Sequence, residues 1–566
     1  MPDFPRLEWG ADEMAANGVN LDALIPREDF AVGNGIATGG DEKLQISHFE
    51  SRFFVPFLRK PEFQRETVHW SPQKIVDLVI AFLDRRLIPA VILWRAGQYN
   101  FVVDGAHRIS ALLAWMSDDY GDGEKSKRLF GPILPPEQTD LAKTTRDMID
   151  KQVGRFELYK AAVEHPGLLP EGGVQRTSNL SVAYMVAQWV PAVTMAAAED
   201  SFFKINDAAT QLDPTEKRIL RARGSAIAIA SRAIAHAGTG YQYWSHFSEA
   251  NAKKTKSEAA KIYDLLYRPH LDKGPIDTLD VPVAGRGYSV LPFVFDLIGS
   301  VVNLNIEDST RKKGGPKTRR SEEDFPRDES GDETVRYLNQ VDTAISRITG
   351  KEAKSLGLHP VVYFYTIGGT FLAWSLLAWI KIIDDLCQNG RINDFCRIRR
   401  EFEAFLLGDK WAMTEIVHQH GSGQRSTPHL TKYWTFVLSK FIDGCSVDNI
   451  QLEISSHFPQ LATKITRVRQ PGENSKRSFS RSTKTAAIWQ SALPGAPRCA
   501  ICEGLWHRNS IHIDHKSDKS MGGTAHPENS QVTHAYCDST YKYVVARGAD
   551  KAISVSGLSA SAALED

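Results

Sequence analysis

The sequence predicts a multidomain α+β protein with an N-terminal α/β domain, a central mainly helical body and a small metal-stabilised C-terminal domain. A length of 566 residues suggests about three or four domains. Short strand-like runs mix with amphipathic helices between 46 and 235, whereas 236–460 has helical periodicity almost throughout. Three of the six cysteines fall within Cys499–Cys537, and such clustering favours metal binding.

Composition narrows the classes of protein. Lys plus Arg and Asp plus Glu number 68 each, so the net charge is zero and a nucleic-acid surface would be a local patch. Six cysteines in a chain of this length do not form a disulfide scaffold. The N-terminus lacks a basic region followed by an apolar run, which predicts a cytoplasmic protein. The apolar stretch 361–383 is long enough to span a bilayer, but Gly368, Gly369 and Lys381 favour a buried helix, so no membrane partner is expected.

The domain boundaries follow shifts in composition. A charged, Gly- and Pro-bearing segment inside the helical region predicts a mobile loop. The predicted divisions are an irregular arm 1–45, the α/β domain 46–235, the helical domain 236–460 with its mobile loop 307–333, a basic linker 461–490, the C-terminal domain 491–550 and a disordered tail 551–566.

Local patterns predict individual elements. Residues 71–87 form a helix, with Ser71 as N-cap and Pro72 in its first position. Strands are predicted at 89–96 and 99–104, on either side of a turn at Gly97, and a helix at 107–116. Further helices are predicted at 257–267, 334–348, 360–387 and 394–407.

Two residue pairs in the C-terminal domain have metal-ligand spacing. Cys499-x-x-Cys502 is followed by His534-x-x-Cys537. Two such pairs supply a tetrahedral zinc site of three cysteines and one histidine. A structural metal compensates for the small core of such a domain. The alternative is that two unrelated pairs are spaced this way by chance.

A second set of residues lies within the same segment. Asp514-His515 is followed by Gly522-Gly523, Asn529 and Asp538. In this order the segment resembles the HNH (ββα-metal) nuclease family. That family has a strand ending in Asp-His, a Gly-Gly loop, an Asn in the turn, and a helix whose metal ligand follows the final zinc cysteine.

The resemblance implies one-metal phosphodiester hydrolysis. His515 would be the general base, Asp514 and Asp538 would hold Mg²⁺ or Mn²⁺, and Asn529 would fix the loop and orient the His515 ring. The sequence departs from the family at Asp538, where Asn or His is usual, and at His534, where cysteine is more common. The alternative is that His515 is a surface histidine of a zinc module that only binds DNA.

Basic residues precede this domain. They are opposed only by Glu473 and form either a phosphate-contacting arm for DNA or a solvated flexible linker. They are Lys464, Arg467, Arg469, Lys476, Arg477, Arg481 and Lys484.

A third set of residues lies in the N-terminal half. It comprises Pro61, Gln64, Arg65, Trp70 and the run Asp104-Gly105-Ala106-His107-Arg108. Over about 45–235 the chain resembles the ParB/sulfiredoxin-like superfamily. The closest group is domain of unknown function 262, the N-terminal half of GmrSD-type modification-dependent restriction enzymes.

This second resemblance implies a phosphate pocket. Gly105 permits a tight turn, the following helix presents its N-terminal amides, and Arg65 and Arg108 can clamp a phosphate. Asp104 would hold Mg²⁺ or a ribose hydroxyl, with Gln64 and His107 beside it. The ligand would be a nucleoside triphosphate or a DNA backbone. Ala-His replaces the Gln-Gln of the family, and the alternative is a structural Asp–Arg pair.

Together these features predict a metal-dependent HNH DNA endonuclease regulated by an N-terminal nucleotide- or DNA-sensing domain. By resemblance to GmrSD- and SspE-type proteins, it would act against phage or other foreign, modified DNA. Nicking and double-strand cutting, the latter by a homo-oligomer, both remain open. The alternatives are a non-catalytic DNA-binding regulator, and catalysis by the N-terminal pocket alone as an NTPase or ParB-like nuclease.

Overall fold

The computed structural model contains two compact units. The first comprises 1–252, 289–292 and 314–334, and the second comprises 253–288, 293–313 and 335–566. Within these bounds the structure describes residues 18–28, 39–62, 64, 66–68, 70–132, 134–162, 169, 172–191, 194–208, 214–271, 274–285, 290–304, 325–421, 425–459, 461 and 478–547.

A mixed six-stranded sheet forms the centre of the first unit, in the order β1-β3-β5-β4-β6-β2. The pairs β1–β3, β3–β5 and β4–β6 are parallel, whereas β4–β5 and β2–β6 are antiparallel. The predicted strands 89–96 and 99–104 are confirmed as β4 and β5. The strands are β1 Arg27–Glu28, β2 Lys43–Gln45, β3 Leu58–Pro61, β4 Val91–Ala96, β5 Tyr99–Asp104 and β6 Tyr184–Trp189.

The helices of the first unit pack against this sheet. Ser71 caps α2 by accepting a hydrogen bond from the Lys74 amide, and Pro72 is the first helical residue, as predicted. Ile75 and Val79 of α2 and Leu112 of α3 are fully buried in the core beside β4 and β5. The helices are α1 Ile46–Glu50, α2 Pro72–Leu83, α3 Ala106–Ser117, α4 Glu124–Phe130, α5 Pro136–Gln152, α6 Phe156–Ala161, α7 Gly173–Leu180, α8 Met195–Ala208, α9 Pro214–Arg221 and α10 Ala226–Ala235.

The predicted irregular arm 1–45 is wrong for its described residues. Val19, Leu21 and Leu24 are buried in the core, and strands β1 and β2 also lie in this range. The short apolar run 19–25 is enough to anchor the segment, although the Gly- and Asp-rich composition of the range as a whole suggested otherwise. Residues 1–17 and 29–38 lie outside the described part.

The chain from 249 onward is largely helical, as predicted for 236–460. The predicted helices 257–267, 334–348 and 394–407 lie within α11, α13 and α16. The helices are α11 Glu249–Tyr267, α12 Val290–Val301, α13 Asp332–Ile348, α14 Pro360–Tyr363, α15 Ala373–Gln388, α16 Ile392–Gly408, α17 Lys410–His420, α18 Ser426–Ile442, α19 Val447–His457 and α20 Arg481–Ala492.

The predicted single helix 360–387 is broken. After α14 the chain turns at Gly369, whose φ of 83° favours glycine, and Tyr365 bridges Phe371 before α15 begins. The turn interrupts an apolar run that sequence periodicity alone reads as continuous. In the described residues no helix combines the length and apolar character needed to cross a membrane.

Part of the predicted mobile loop is ordered. The buried Asp328 carboxylate accepts hydrogen bonds from the amides of Gly331 and Thr334 at 2.9 and 2.7 Å. These bonds hold the first turn of α13, so the described end of the predicted loop 307–333 is fixed. Residues 305–324 lie outside the described part.

The predicted linker 461–490 ends in a packed helix. Ser480 caps α20, the buried Thr485 hydroxyl accepts from the Ile276 amide at 2.8 Å, and the Trp489 indole donates to the Thr278 carbonyl at 2.9 Å. The indole and the hydroxyl bind backbone groups of an earlier part of the same unit. The basic composition of the segment does not predict these contacts. Residues 462–477 and the predicted tail 551–566 lie outside the described residues.

A β-hairpin completes the second unit. Strand β7 (Ile511–His515) pairs antiparallel with β8 (Ser530–His534), and a helical segment follows with a π-helical turn at Cys537–Tyr541. We call residues 497–547 the C-terminal module. At this level the predicted combination of an N-terminal α/β part, a helical body and a C-terminal hairpin with a Cys₃His cluster is confirmed.

Candidate metal centre

The two predicted ligand pairs converge in the C-terminal module. The ligand atoms of Cys499, Cys502, His534 and Cys537 all lie within 4.8 Å of one another, and all four residues are buried. Among the described residues, no other group of three or more such side chains converges in this way. The predicted clustering is confirmed. We call these four residues the zinc cluster, because their arrangement is consistent with a structural zinc site.

Backbone geometry presents the cysteines to the cluster. The Cys499 amide donates to the Gly504 carbonyl at 2.9 Å, and the Glu503 amide donates to the Cys499 carbonyl at 3.0 Å, which closes a tight turn. His534 is the last residue of β8, and Cys537 begins the following helical turn. A turn, a strand end and a helix therefore each contribute to one site.

The His534 ring is oriented as a zinc ligand. Its Nε2 lies 3.2 Å from the Leu505 carbonyl, so a proton on Nε2 is donated there. Its Nδ1 lies 3.3 Å from the Cys502 sulfur and 4.0 Å from the Cys537 sulfur. The Nδ1 lone pair therefore faces the thiols, which is the arrangement that an outer hydrogen bond imposes on metal-binding histidines.

The three thiols do not share one protonation state. Hydrogen bonds from Cys502 and Cys537 hold the pKa of the Cys499 thiol far below its usual range. Burial, followed by the bond to Cys499, raises the pKa of Cys502. A thiolate is the form that binds zinc, so metal binding releases protons from this cluster.

A buried ion pair from α16 supports the zinc cluster. Arg399 is fully buried, pairs with Glu403 at 2.8 Å and lies 3.3 Å from His534 Nδ1. The other Glu403 oxygen accepts from the Leu505 amide at 2.7 Å. A side chain on Gly504 would lie 2.3 Å from Arg399 Nε, so this glycine permits the close approach. Sequence analysis missed this pair because nothing local links it to the cysteines.

A second centre lies beside the hairpin, where three carboxylates surround one ammonium. Lys542 Nζ lies 2.8 Å from Asp514 Oδ1, 2.9 Å from Asp538 Oδ1 and 3.1 Å from Asp518 Oδ1. We call these four residues the carboxylate centre. The structure therefore brings together Asp514 and Asp538, the two predicted ligands of a catalytic metal.

The outer oxygens of these carboxylates have their own partners. Gln531, which faces Asp514 across the hairpin, donates to Asp514 Oδ2 at 2.9 Å. His512 Nδ1 lies 2.8 Å from Asp538 Oδ2. Asp514 is thus held on one side by a hydrogen bond and directs its other oxygen to the ammonium, whereas His512 approaches Asp538 without forming a hydrogen bond.

The charges in this centre stabilise one another. Burial acts to raise the pKa of Asp514, but the hydrogen bonds that Lys542 and Gln531 donate to it prevail and lower it. Burial likewise acts to lower the pKa of Lys542, but its bonds to the three carboxylates raise it above its usual range. Asp514 is therefore ionised although it is only 4% exposed.

The predicted base His515 stands apart from these contacts. It follows Asp514 on β7, so its side chain points to the opposite face of the strand, and the residue is half-buried at the end of the hairpin. In the described part of the chain, its imidazole has no recorded hydrogen bond. His515 borders the carboxylate centre in sequence but does not contact it.

Asn529 holds the loop that joins the strands. Its Oδ1 accepts from the Ser517 amide at 2.9 Å, and its Nδ2 donates to the carbonyls of Ser517 and Thr524 at 3.1 and 2.8 Å. A side chain on Gly523 would come within 1.8 Å of the Ser517 carbonyl oxygen. These contacts match the loop-fixing part of the role predicted for Asn529, and its hydrogen bonds do not include the His515 ring.

Sequence analysis did not predict the roles of Asp518, Gln531 and Lys542 in this centre, nor the contact of His512 with Asp538. A period of two on a strand places His512 on the same face as Asp514. A spacing of four on a helix places Lys542 beside Asp538. These two spacings are visible in the sequence, whereas Gln531 and Asp518 require the hairpin register and the loop path.

Two acceptors hold one end of the Arg108 guanidinium of the N-terminal motif, whereas its buried Nε has no hydrogen-bond partner among the described residues. Arg108 donates to Asp104 at 2.8 Å and to the Ala90 carbonyl at 3.1 Å. Gly105 has a φ of 92°, and a side chain there would lie 2.6 Å from Val91. Gly105 thus permits the predicted turn, while the Asp104–Arg108 pair matches the structural alternative weighed from the sequence.

The other predicted residues of this pocket surround the same end of β5. The buried Gln64 donates to the Val103 carbonyl at 3.4 Å, and His107 stacks on Trp70 with ring centroids 5.6 Å apart. Arg65 lies outside the described residues.

A buried charge network adjoins Gln64 and was missed by sequence analysis. The Asp22 carboxylate pairs with Arg27 at 2.9 Å and Lys60 at 2.5 Å, and Arg27 donates to the Gln64 carbonyl at 2.7 Å. Burial lowers the pKa of Lys60 to about 8. The network depends on Asp22 and Arg27, which lie in the segment predicted to be an irregular arm, so no local pattern links them to the motif.

Comparison with protein-family models, with curated proteins and with solved structures finds no match for this chain. The two family resemblances therefore rest on the motifs and contacts described above.

Proposed function

We propose that the C-terminal module is a metal-dependent DNA endonuclease of the HNH type. One observation carries the proposal. Asp514 and Asp538, singled out as metal ligands from opposite ends of the motif, lie against the same cation, the Lys542 ammonium, at 2.8 and 2.9 Å. A pocket that gathers carboxylate oxygens around a cation has the donor chemistry that Mg²⁺ and Mn²⁺ prefer.

The residues of this chain divide the work of hydrolysis. When bound, a divalent ion supplies the positive charge that neutralises the scissile phosphate. Asp514 and Asp538 hold that ion. His515 takes the proton of the attacking water as the water oxygen bonds to phosphorus. The bond from phosphorus to the leaving sugar oxygen then breaks, and that oxygen takes a proton from a solvent water. Asn529 fixes the loop between the strands.

The zinc cluster has a separate, structural role in this proposal. Cys499 and Cys502 lie before the hairpin, His534 ends its second strand and Cys537 begins the helix that carries Asp538 and Lys542. Zinc bound here would fix the helix against the hairpin and so set the separation of Asp514 and Asp538. The active centre would then depend on zinc without using it chemically.

The first unit would be a ParB-like regulatory domain that senses a nucleoside triphosphate or a DNA backbone. The left-handed Gly105 at the start of the twelve-residue helix α3 supports a phosphate site. Because Arg108 is paired with Asp104, a phosphate would have to compete with that carboxylate. In this proposal the protein acts in the cytoplasm against foreign or modified DNA.

Plasmid cleavage tests the nuclease. Wild-type protein with Mg²⁺ or Mn²⁺ should convert supercoiled plasmid to nicked or linear DNA. His515→Ala should lower the rate by about 10²–10⁴-fold with unchanged zinc content. His526→Ala, an exposed histidine of the same module, is the matched control. Full cleavage by His515→Ala contradicts the assignment.

A DNA-binding regulator is the second candidate. It is favoured by the Lys542 ammonium, which offsets part of the charge of the three carboxylates without a divalent ion. In that case a mobility shift would occur without cleavage under any metal condition. Modified and unmodified plasmids, each with and without ATP or GTP, would identify the regulatory ligand in either case.

A further inference from the structure

We infer that Lys542 is an internal competitor of the catalytic metal: its ammonium and a divalent cation exchange at the same carboxylate oxygens. The inference rests on the metal centre of the proposed function and adds the residue that determines its metal affinity.

The geometry makes the two occupants mutually exclusive. Lys542 Nζ contacts one oxygen, Oδ1, of each of three carboxylates, Asp514, Asp518 and Asp538, at 2.8–3.1 Å. A bound Mg²⁺ requires ligand oxygens at about 2.0–2.1 Å. The point from which a cation reaches Asp514 and Asp538 together is the point that the ammonium occupies. Metal binding must therefore displace Lys542.

Two of the three carboxylates, Asp514 and Asp538, also have contacts that do not involve the ammonium. Gln531 binds the second oxygen of Asp514, and His512 lies against the second oxygen of Asp538 at 2.8 Å. Both contacts remain when Lys542 leaves. Asp514 therefore keeps its inner oxygen directed at the vacated position, so an incoming cation finds one ligand already oriented.

Lys542 also has a route out of the centre. Its side chain is 17% exposed and ends a flexible four-carbon stem. From its place among the carboxylates the ammonium also lies 5.1 Å from the ring centroid of the exposed Tyr543, so an aromatic face that can bind a cation borders the centre. Displacement thus requires a change of side-chain rotamer rather than a movement of the helix.

Removing the competitor should tighten metal binding. In Lys542→Met the three carboxylates lose their internal cation, so a divalent ion no longer has to displace it. We expect the dissociation constant for Mn²⁺ to fall by at least about tenfold. Without divalent ions this variant should melt at a lower temperature than wild type, because like charges remain close, and Mn²⁺ should raise its melting temperature by more than it raises that of wild type.

The experiment uses the full-length, zinc-loaded chain and Mn²⁺ alone as the probe. Free Mn²⁺ is measured by electron paramagnetic resonance during titration, and melting is followed with and without Mn²⁺. Lys542→Arg keeps a cation in place and should bind Mn²⁺ like wild type. Lys519→Met removes an exposed lysine of the same module and is the matched control. Lys542→Gln replaces Lys542→Met if the latter loses its zinc.

Unchanged or weaker Mn²⁺ binding by both Lys542→Met and Lys542→Gln overturns the inference, as does an equal gain in Lys519→Met. Plasmid cleavage is measured separately. If Lys542→Met binds Mn²⁺ more tightly but neither it nor wild type cleaves DNA, the nuclease proposal fails and the competition stands. If wild type cleaves DNA and the affinities of the variants do not differ, the nuclease proposal stands and the competition fails.

Discussion

The Arg399 guanidinium lies 3.3 Å from His534 Nδ1, so a buried cation of the helical body borders the zinc cluster. Its partner Glu403 is equally buried and binds the Leu505 amide next to the cysteine turn. Three thiolates and a neutral histidine around Zn²⁺ carry a net negative charge. Arg399 is placed to compensate that charge, and Glu403 fixes Arg399.

Breaking this pair should destabilise the second unit. Glu403→Gln leaves Arg399 buried without its counter-charge, which costs about 3–5 kcal/mol. Thermal unfolding followed by tryptophan fluorescence should show a lower melting temperature. Glu503→Gln removes the partner of Arg400 in an exposed pair, for which a change within about 1 kcal/mol is expected. Equal effects of the two substitutions would contradict the role given to Arg399.

Zinc content should depend on the cluster alone. We expect Cys502→Ser to lose zinc and to lower the melting temperature of the second unit, because a ligand and a buried thiolate site are removed together. Zinc per chain is measured by mass spectrometry of the purified protein. Cys445→Ser, a half-buried cysteine outside the cluster, should keep full zinc. A zinc-replete Cys502→Ser protein would show that the four residues are not the ligand set.

The two adjacent glycines of the loop should respond differently to substitution. Gly523→Ala places a methyl group 1.8 Å from the Ser517 carbonyl oxygen, so the loop held by Asn529 must distort. Gly522 has a φ of 84° and open space around it, a conformation that asparagine tolerates. We expect Gly523→Ala to lower both cleavage and melting temperature and Gly522→Asn to leave both nearly unchanged. The reverse order would show that the loop path is wrong.

The sequence predicted those elements and sites that depend on local residue patterns. It did not predict contacts that depend on tertiary packing. The strand–turn–strand–helix unit from Val91 to Ser117 was predicted within a few residues, because periodicity and Gly97 determine it. The cysteine and histidine spacing likewise predicted the zinc cluster. Arg399 could not be linked to His534, since only the tertiary fold brings α16 to β8. Gly368-Gly369 was visible, but the apolar run around it outweighed the turn signal.

The contact between His236 and Glu66 should make the first unit sensitive to pH. The His236 imidazole Nε2 lies 2.6 Å from Glu66 Oε1. Despite the opposing effect of burial, Glu66 raises the pKa of His236 above 6.5, and His236 lowers that of Glu66 below 4.5. The histidine's contribution is complete below pH 6.5 and is lost as pH rises through its folded pKa. The carboxylate's contribution is lost as pH falls through its own.

Substitutions at His236 and Glu66 test this predicted dependence of stability on pH. His236→Gln should destabilise the first unit by about 1–3 kcal/mol at pH 6 and by less at pH 9, as measured by thermal unfolding at both values. Glu66→Gln should show the same trend with pH. The double variant should cost less than the sum of the single variants, because both remove one interaction. A pH-independent or additive result would show that the two groups do not share a charge-assisted bond.

The bonds that join the helical body to the C-terminal module limit how this protein can be recombined. Besides Glu403, the Ser355 carbonyl accepts from the Tyr536 amide at 3.0 Å, and the Ala353 carbonyl accepts from the Ser539 hydroxyl at 2.8 Å. A gene fusion that exchanged the last ninety or so residues, on the order of a small domain, would separate these partners. Such a chimera would expose Arg399 on one side of the junction and unpaired amides on the other. The C-terminal module and the helices before it are therefore expected to be inherited together, whereas surface positions of either part are free to diverge.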